Sequence, residues 1–166
     1  MIAMSTRNLP STQRMHRQRG AAAVELAFVI FVLLLIVAGT IAFGRAFWYA
    51  DALTKATRDG ARLLSTWPVG TVNSAGVIAA RDMVISNANA ANVNPALVTG
   101  NVVVECLNST FSTVSCVDGT APNNVRVRIS GFSLSLDAWF PFVSASGVID
   151  YGTVGIAPHT TMRYMN

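Results

Sequence analysis

Apolar positions along this chain follow three different rhythms. From Leu26 to Gly44, nineteen consecutive residues carry no charge at all. At about 1.5 Å of rise per residue, a helix over that run spans roughly 28 Å, close to the thickness of a bilayer's hydrocarbon core. The run predicts a membrane segment. Beyond Gly44 the pattern narrows to a stripe. Ala46, Ala50, Leu53, Thr57, Gly60, Ala61 and Leu64 recur at steps of three and four, while Arg45, Asp51, Lys55, Arg58, Asp59 and Arg62 fall mostly off that face. One continuous helix from about residue 22 to 65 is expected, ended by Trp67-Pro68. Its second half would pack its small-residue stripe against a soluble domain. Trp48 and Tyr49 stand where an interfacial aromatic belt would lie.

The third rhythm begins after a loop read over Gly70 to Gly76. Ala, Val, Ile and Met recur at helical spacing from Ala75 to Ala90, with Arg81 and Asp82 expected outward, so a second helix is predicted there. Asn87 to Pro95 reads as a turn-rich connection. From residue 100 the signal is of strands. Val102 to Cys106 is a short β-rich run, and Val125, Val127 and Ile129 alternate with Arg126, Arg128 and Ser130. Gly131 shifts the phase by one, so that Phe132, Leu134 and Leu136 carry the alternation onward, and a bulge is expected at that glycine. Trp139 to Phe142 is an aromatic cluster at a bend, read either as a contact surface or as the plug of a small core. Val148 to Arg163 reads as one strand or a pair, broken at Gly155 and Pro158. The fold class is α+β, a long N-terminal helix on a small antiparallel sheet.

Charge changes the picture in one respect. The net charge is +4, but residues 1–20 hold Arg7, Arg14, Arg17 and Arg19 with no acid, and the rest of the chain balances eight basic against eight acidic side chains. The excess therefore lies wholly ahead of the apolar run. It argues for a cytoplasmic N-terminus with the C-terminal domain outside, and against a nucleic-acid partner. Residues 1–16 are polar, contain Pro10 and show no apolar period, and they read as a disordered leader. Met1, Met4 and Met15 each fit as a start. An ordinary secretory signal would have a shorter apolar core and a better cleavage site than Ala42-Phe-Gly44, so an uncleaved anchor fits better.

At the junction of basic segment and apolar run stands Arg17-Gln-Arg-Gly-Ala-Ala-Ala-Val-Glu25. The glycine, the small residues and the lone glutamate before a long apolar helix resemble the prepilin-peptidase site of type IV pilin-like proteins. The continuation from Phe43 to Arg62, with its Gly-Arg-Ala and Asp-Gly-Ala-Arg pieces, is similar to the TadE-like pseudopilins of the tight-adherence (Tad, type IVc) pilus. The close match covers about residues 17 to 64. The resemblance implies cleavage between Gly20 and Ala21, with Glu25 as the fifth mature residue. It divides the chain into a leader at 1–20, a transmembrane helix at 21–44, an amphipathic continuation at 45–66 and an extracytoplasmic α+β domain at 67–166. The partners implied are the membrane, a prepilin peptidase, other pilins and the assembly platform. The place implied is the bacterial inner membrane, and after assembly the pilus or cell surface.

A carboxylate inside a membrane segment costs on the order of 2.5–3.5 kcal/mol at mid-bilayer and less near an end. Cleavage after Gly20 would create a partner for it, the α-ammonium of Ala21, four residues away on the same helix face. The first turn of the helix also favours negative charge. In a pilin-like fibre the resemblance implies that this glutamate meets the amine of a neighbouring subunit and sets the register. The competing reading leaves Glu25 hydrated at the lipid interface.

Cys106 and Cys116 are the two cysteines. Outside the cytoplasm they can bridge, and closing an 11-residue loop stabilises by roughly 2.5–3 kcal/mol on the chain-entropy account. The alternative is two free thiols. Their spacing is not that of a CxxC redox pair, and no histidines accompany them for zinc. His16 and His159 are the only histidines, and no phosphate loop, HExxH or GxSxG motif is present. Asp82, Glu105, Asp118, Asp137 and Asp150 are scattered and read as solvated. Asn108-Ser-Thr110 matches a glycosylation sequon by a pattern common by chance. No enzyme, cofactor or small-molecule substrate is indicated. Two functions remain: an assembly component of a pilus, or a membrane-anchored binding module that never assembles.

Overall fold

The computed structural model describes residues 13–135 and 153–166. The chain divides into two compact units, Met1–Ile41 and Ala42–Asn166. The first unit is helical throughout its described part. Helix α1 runs over Gln13–Ser65, 53 residues without a break. It starts earlier than the polar leader suggested, because no proline or glycine follows Pro10 before Gly20, and Gln13, Arg14, Met15 and Gln18 are all good helix formers. An existing helix extends over such residues at little cost, since nucleation is already done. From Gly20 to Ile41 almost no side chain is covered by protein. Phe28, Leu34 and Ile36 are each at least 60% exposed. A helix apolar on every side and uncovered by its own chain is at home only in lipid or among other apolar helices.

In the second unit the stripe of α1 does what its spacing predicts. Leu53, Ala56, Thr57, Ala61 and Leu64 are buried, whereas Asp51, Lys55, Arg58, Asp59 and Arg62 are exposed. The helix is followed by a 3-10 turn, Val69–Thr71, and a π-turn, Val72–Gly76, which replace the expected loop. Helix α2, Val77–Ala90, then returns along α1 with Ala80, Val84 and Ala88 buried. It ends at Ala90 as the spacing predicts, taking in the first four residues of the Asn87 to Pro95 stretch, and the turns begin at Ala91. Arg81 is half-buried instead of outward, and its Nε has no hydrogen-bond partner among the described residues.

The strands are β1 (Val102–Leu107), β2 (Thr113–Val114), β3 (Asn124–Ile129), β4 (Ser133–Ser135), β5 (Thr153–Gly155) and β6 (His159–Arg163). Among the described residues they make a four-stranded antiparallel sheet, β2-β1-β3-β6, and a separate pair, β4-β5. Gly131, expected to be a bulge, is a break between the two sheets. Its φ of +68° turns the chain out of β3, a conformation that favours glycine. The phase shift itself holds, and Phe132 and Leu134 are buried. Leu136, Asp137, the Trp139 to Phe142 cluster, Asp150 and the start of the Val148 strand lie outside the described residues.

The core fills the space between α1, α2 and the inner sheet face. Leu53, Ala61, Val84, Val127 and Ile129 belong to one cluster, and Leu64, Val72, Ala80, Val125 and Tyr164 to another. Two glycines set how close the helices come. A Cβ on Gly60 would stand 2.5 Å from Val84 Cγ2 and 3.0 Å from the Ala80 carbonyl oxygen; one on Gly76 would strike the Trp67 ring. Glycine is required where backbones meet this closely.

The end of α1 is tied down by two distant segments. Ser65 O accepts from Met165 N at 2.9 Å, and the buried Tyr164 hydroxyl donates to the Trp67 carbonyl. These bonds take up carbonyls that a helix end leaves unpaired. Burial also pushes the Tyr164 phenol pKa upward. On the other side, Cys106 and Cys116 are joined, and the loop beyond them reaches the π-turn. Asp118 Oδ1 accepts from Asn73 N at 2.7 Å and Ser74 N at 3.1 Å, and Gly119 N donates to Val69 O at 2.8 Å.

Two outcomes follow. Gly60→Ala lowers the stability of the domain by about 1–3 kcal/mol, whereas Gly39→Ala, with nothing within 4 Å of the added Cβ, leaves the midpoint in place; denaturant titration in neutral detergent distinguishes them. The Asp118 carboxyl is held below its ordinary 3.8 first by the Ser74 N–H, against the desolvation that opposes it. A folded-state pKa below the unfolded one means that the unfolded chain binds more protons, so the contribution is present above the unfolded value and is lost as pH falls through the folded one. Wild type is therefore more stable than Asp118→Asn at neutral pH, and the difference in melting temperature shrinks below about pH 4.

Candidate functional site

The residues singled out at the head of the apolar run lie on one uninterrupted stretch of α1. Gly20, Ala21 and Glu25 are all exposed. Ala21 and Glu25 are four apart on a regular helix, hence on one face with Cβ atoms about 5–6 Å apart. Glu25 is the only ionisable residue from Gly20 to Gly44. It stands one residue before the uncharged run, near the end of any lipid span. That position keeps the cost of the charge below the mid-bilayer figure and leaves its carboxylate available to a cation at the same depth.

Gly20 is not held by close packing among the described residues. A Cβ there would meet nothing within 4 Å. A glycine inside a helix costs roughly 0.5–1 kcal/mol relative to alanine. At Gly60 and Gly76 that cost is offset by close contact, and at Gly20 nothing in the fold offsets it. Gly39 and Gly44 are likewise open on their Cβ side.

The structure brings the second pair of predicted residues together as a disulfide, with Cα atoms 5.2 Å apart. Cys106 is buried on β1 and faces the core, while Cys116 is half-buried in the loop. Other residues read as solvated are placed differently. Glu105 lies on the outer face of β1 with its side chain only 14% exposed, between Arg126 and Arg128 of β3. Its spacing to those arginines depends on the β1–β3 register, in which Glu105 pairs with Arg126, and a single chain pattern does not carry that. Asp118 is exposed, as expected, but caps the π-turn from 44 residues away. Among the described residues no group of three or more His, Cys, Asp or Glu side chains is placed to hold a metal ion.

Among the described residues one helix, Gly20–Ser65, is long and apolar enough to cross a membrane. Substituting Glu25 by alanine removes a charge from its head, so membrane insertion of Glu25→Ala equals or exceeds that of the wild type. A glycosylation-reporter insertion assay measures this, and weaker insertion of the variant would contradict the placement of Glu25 in the span.

Comparison with known proteins adds one finding to this geometry. No curated protein and no solved structure matches the chain. Residues 20–62 match the family described as TadE-like protein. The matching stretch opens on Gly20, takes in Glu25 and the apolar run, and closes three residues before α1 ends. Over this helix, from Gly20 to Arg62, the chain is similar to the TadE-like family.

Proposed function

We propose that this chain is a pseudopilin or minor pilin that takes part in assembling a Tad-type (type IVc) pilus, and that a prepilin peptidase cuts it between Gly20 and Ala21. The observation that carries the reading is the coincidence at Gly20. A glycine with open space at its Cβ position stands at the first residue of the TadE-like stretch, five positions before the only charge between Gly20 and Gly44. Cleavage there releases the α-amine of Ala21, which can meet a Glu25 carboxylate in the same or a neighbouring subunit. In low dielectric such a pair offsets the cost of each charge, and it fixes the axial register of one helix against the next.

The role is structural and not catalytic on this reading. The leader at 1–20 stays on the cytoplasmic side of the inner membrane, residues 21–44 cross it, the helix continues amphipathically over 45–66, and residues 67–166 form the external domain. The disulfide fits an oxidising compartment on that side. A membrane-anchored binding module that does not assemble would share the anchor and the disulfide, but would have no use for Gly20.

The deciding measurement is the intact mass and N-terminal residue of the membrane-extracted protein, with and without the cognate peptidase. The expected result is an N-terminus at Ala21 that appears only with the enzyme. An uncut chain, or one cut near Gly44, favours the anchored module. Because Gly20 touches nothing, Gly20→Leu should block processing and leave the circular dichroism of the chain unchanged. In cells, Glu25→Ala is expected to be inserted and processed yet to lower piliation, and normal piliation in that variant would remove the charge-pairing role.

A further inference from the structure

We infer that the outer face of the four-stranded sheet is a binding surface for a carboxylate-bearing polysaccharide. This inference rests neither on processing nor on assembly.

The inner face of the sheet is spent on the core through Val125, Val127 and Ile129. The residues alternating with them point the other way, and the register places them side by side. Arg126 pairs with Thr161, Arg128 with His159, and Asn124 with Arg163 across β3 and β6, while Glu105 of β1 pairs with Arg126 on the opposite flank. Three guanidinium groups therefore share one sheet face with a single carboxylate. Directly paired side chains there are about 5 Å apart at Cβ and diagonal ones about 7–8 Å.

The one carboxylate shows how the face handles such a group. Arg128 Nε donates to Glu105 Oε1 at 3.0 Å, and Arg126 Nη1 stands 3.6 Å from Glu105 Oε2. Arg126 Nε is used on Thr161 Oγ1 at 3.2 Å. Each guanidinium has five N–H donors, so these contacts leave terminal donors of both arginines over. Arg163 and His159 are exposed, and Arg128 is 43% exposed at its side chain. After Glu105 is counted, the face keeps two positive charges.

Charge complementarity calls for an anion, and the shape narrows its class. Among the described residues the one aromatic ring on the face is the His159 imidazole, short of the row of stacking rings that single-stranded nucleic acids use. The side chains it presents on β3 and β6 are polar, Asn124, Arg126, Arg128, His159, Thr161 and Arg163, and not the apolar anchors that dominate protein partners. What remains is a flat row of planar forks, suited to carboxylates repeated along a polar chain.

The test uses the full chain in neutral detergent with oligogalacturonate as probe, and with its methyl ester, a single-stranded DNA oligonucleotide and an acidic peptide as comparisons. Oligogalacturonate is expected to bind, the methyl ester not to, and affinity is expected to fall steeply as salt rises toward about 0.3 M. Arg163→Gln lies at an exposed position and should weaken binding about three- to fivefold. Glu105→Gln keeps an acceptor for Arg128 and removes the competing charge, so it should strengthen binding. A structural role for Glu105 would not produce that gain. Equal binding of the methyl ester, tighter binding of the oligonucleotide or peptide, or Arg163→Gln and Glu105→Gln affinities equal to wild type would each overturn the assignment.

Discussion

Between Gly60 of α1 and the Ala80–Val84 turn of α2 there is no room for a methyl group, and the domain is arranged around that approach. Two helices this close bring their backbones together over small side chains, so the seam gains dispersion contacts but buries few large apolar groups. Val84 sits at the seam itself, and the other large ones, Leu53, Leu64 and Val127, are fully buried around it. Thr57 belongs to the same seam. Fully buried, it back-bonds to Thr54 O and meets Thr160 of β6 through its hydroxyl. A hydroxyl placed there without those partners would cost about 1–3 kcal/mol. Helix pairing therefore dictates where the sheet must lie.

A helix that enters a domain from a membrane has to end somewhere, and its last carbonyls then need donors. In this chain those donors come from the C-terminal residues and from the helix's own hydroxyls, Ser65 and Thr66 included. The turn after it is held in the same way by Asp118 and Gly119, in the loop closed by the disulfide. Sequence-distant segments thus converge on residues 65–76. Cross-linking Cys106 to Cys116 limits how far the Asp118 turn can stray, so the covalent tie and the hydrogen bonds reinforce one another.

This division explains what could be read from the sequence. The apolar run was legible from its length and lack of charge, and the stripe of α1, α2 and the alternation in β1 and β3 because burial of one face imposes a repeat on the residues themselves. The break at Gly131 was visible as a phase shift, but its meaning was not. A glycine with φ of +68° serves a bulge and a sheet break equally well. Residues 13–16 failed for a different reason: polarity was taken as disorder, whereas helix propensity beside an existing helix prevailed. The Glu105 pairs and the Asp118 cap depend on register and on contacts between residues more than 20 apart, and neither leaves a local trace.

The same residue type shows how much the structure adds at the candidate site. Gly20, Gly60 and Gly76 all interrupt or flank helical sequence, and a propensity argument treats them alike. Space separates them. Gly60 and Gly76 are each pressed by a neighbour that an added carbon would strike, so packing within the domain accounts for them. Gly20 has open space around it, in a helix that would be steadier with alanine, and packing does not account for it. Open space alone does not single it out, since Gly39 and Gly44 of the same helix are as open. Position does: Gly20 opens the TadE-like stretch and stands five residues ahead of the one carboxylate between Gly20 and Gly44.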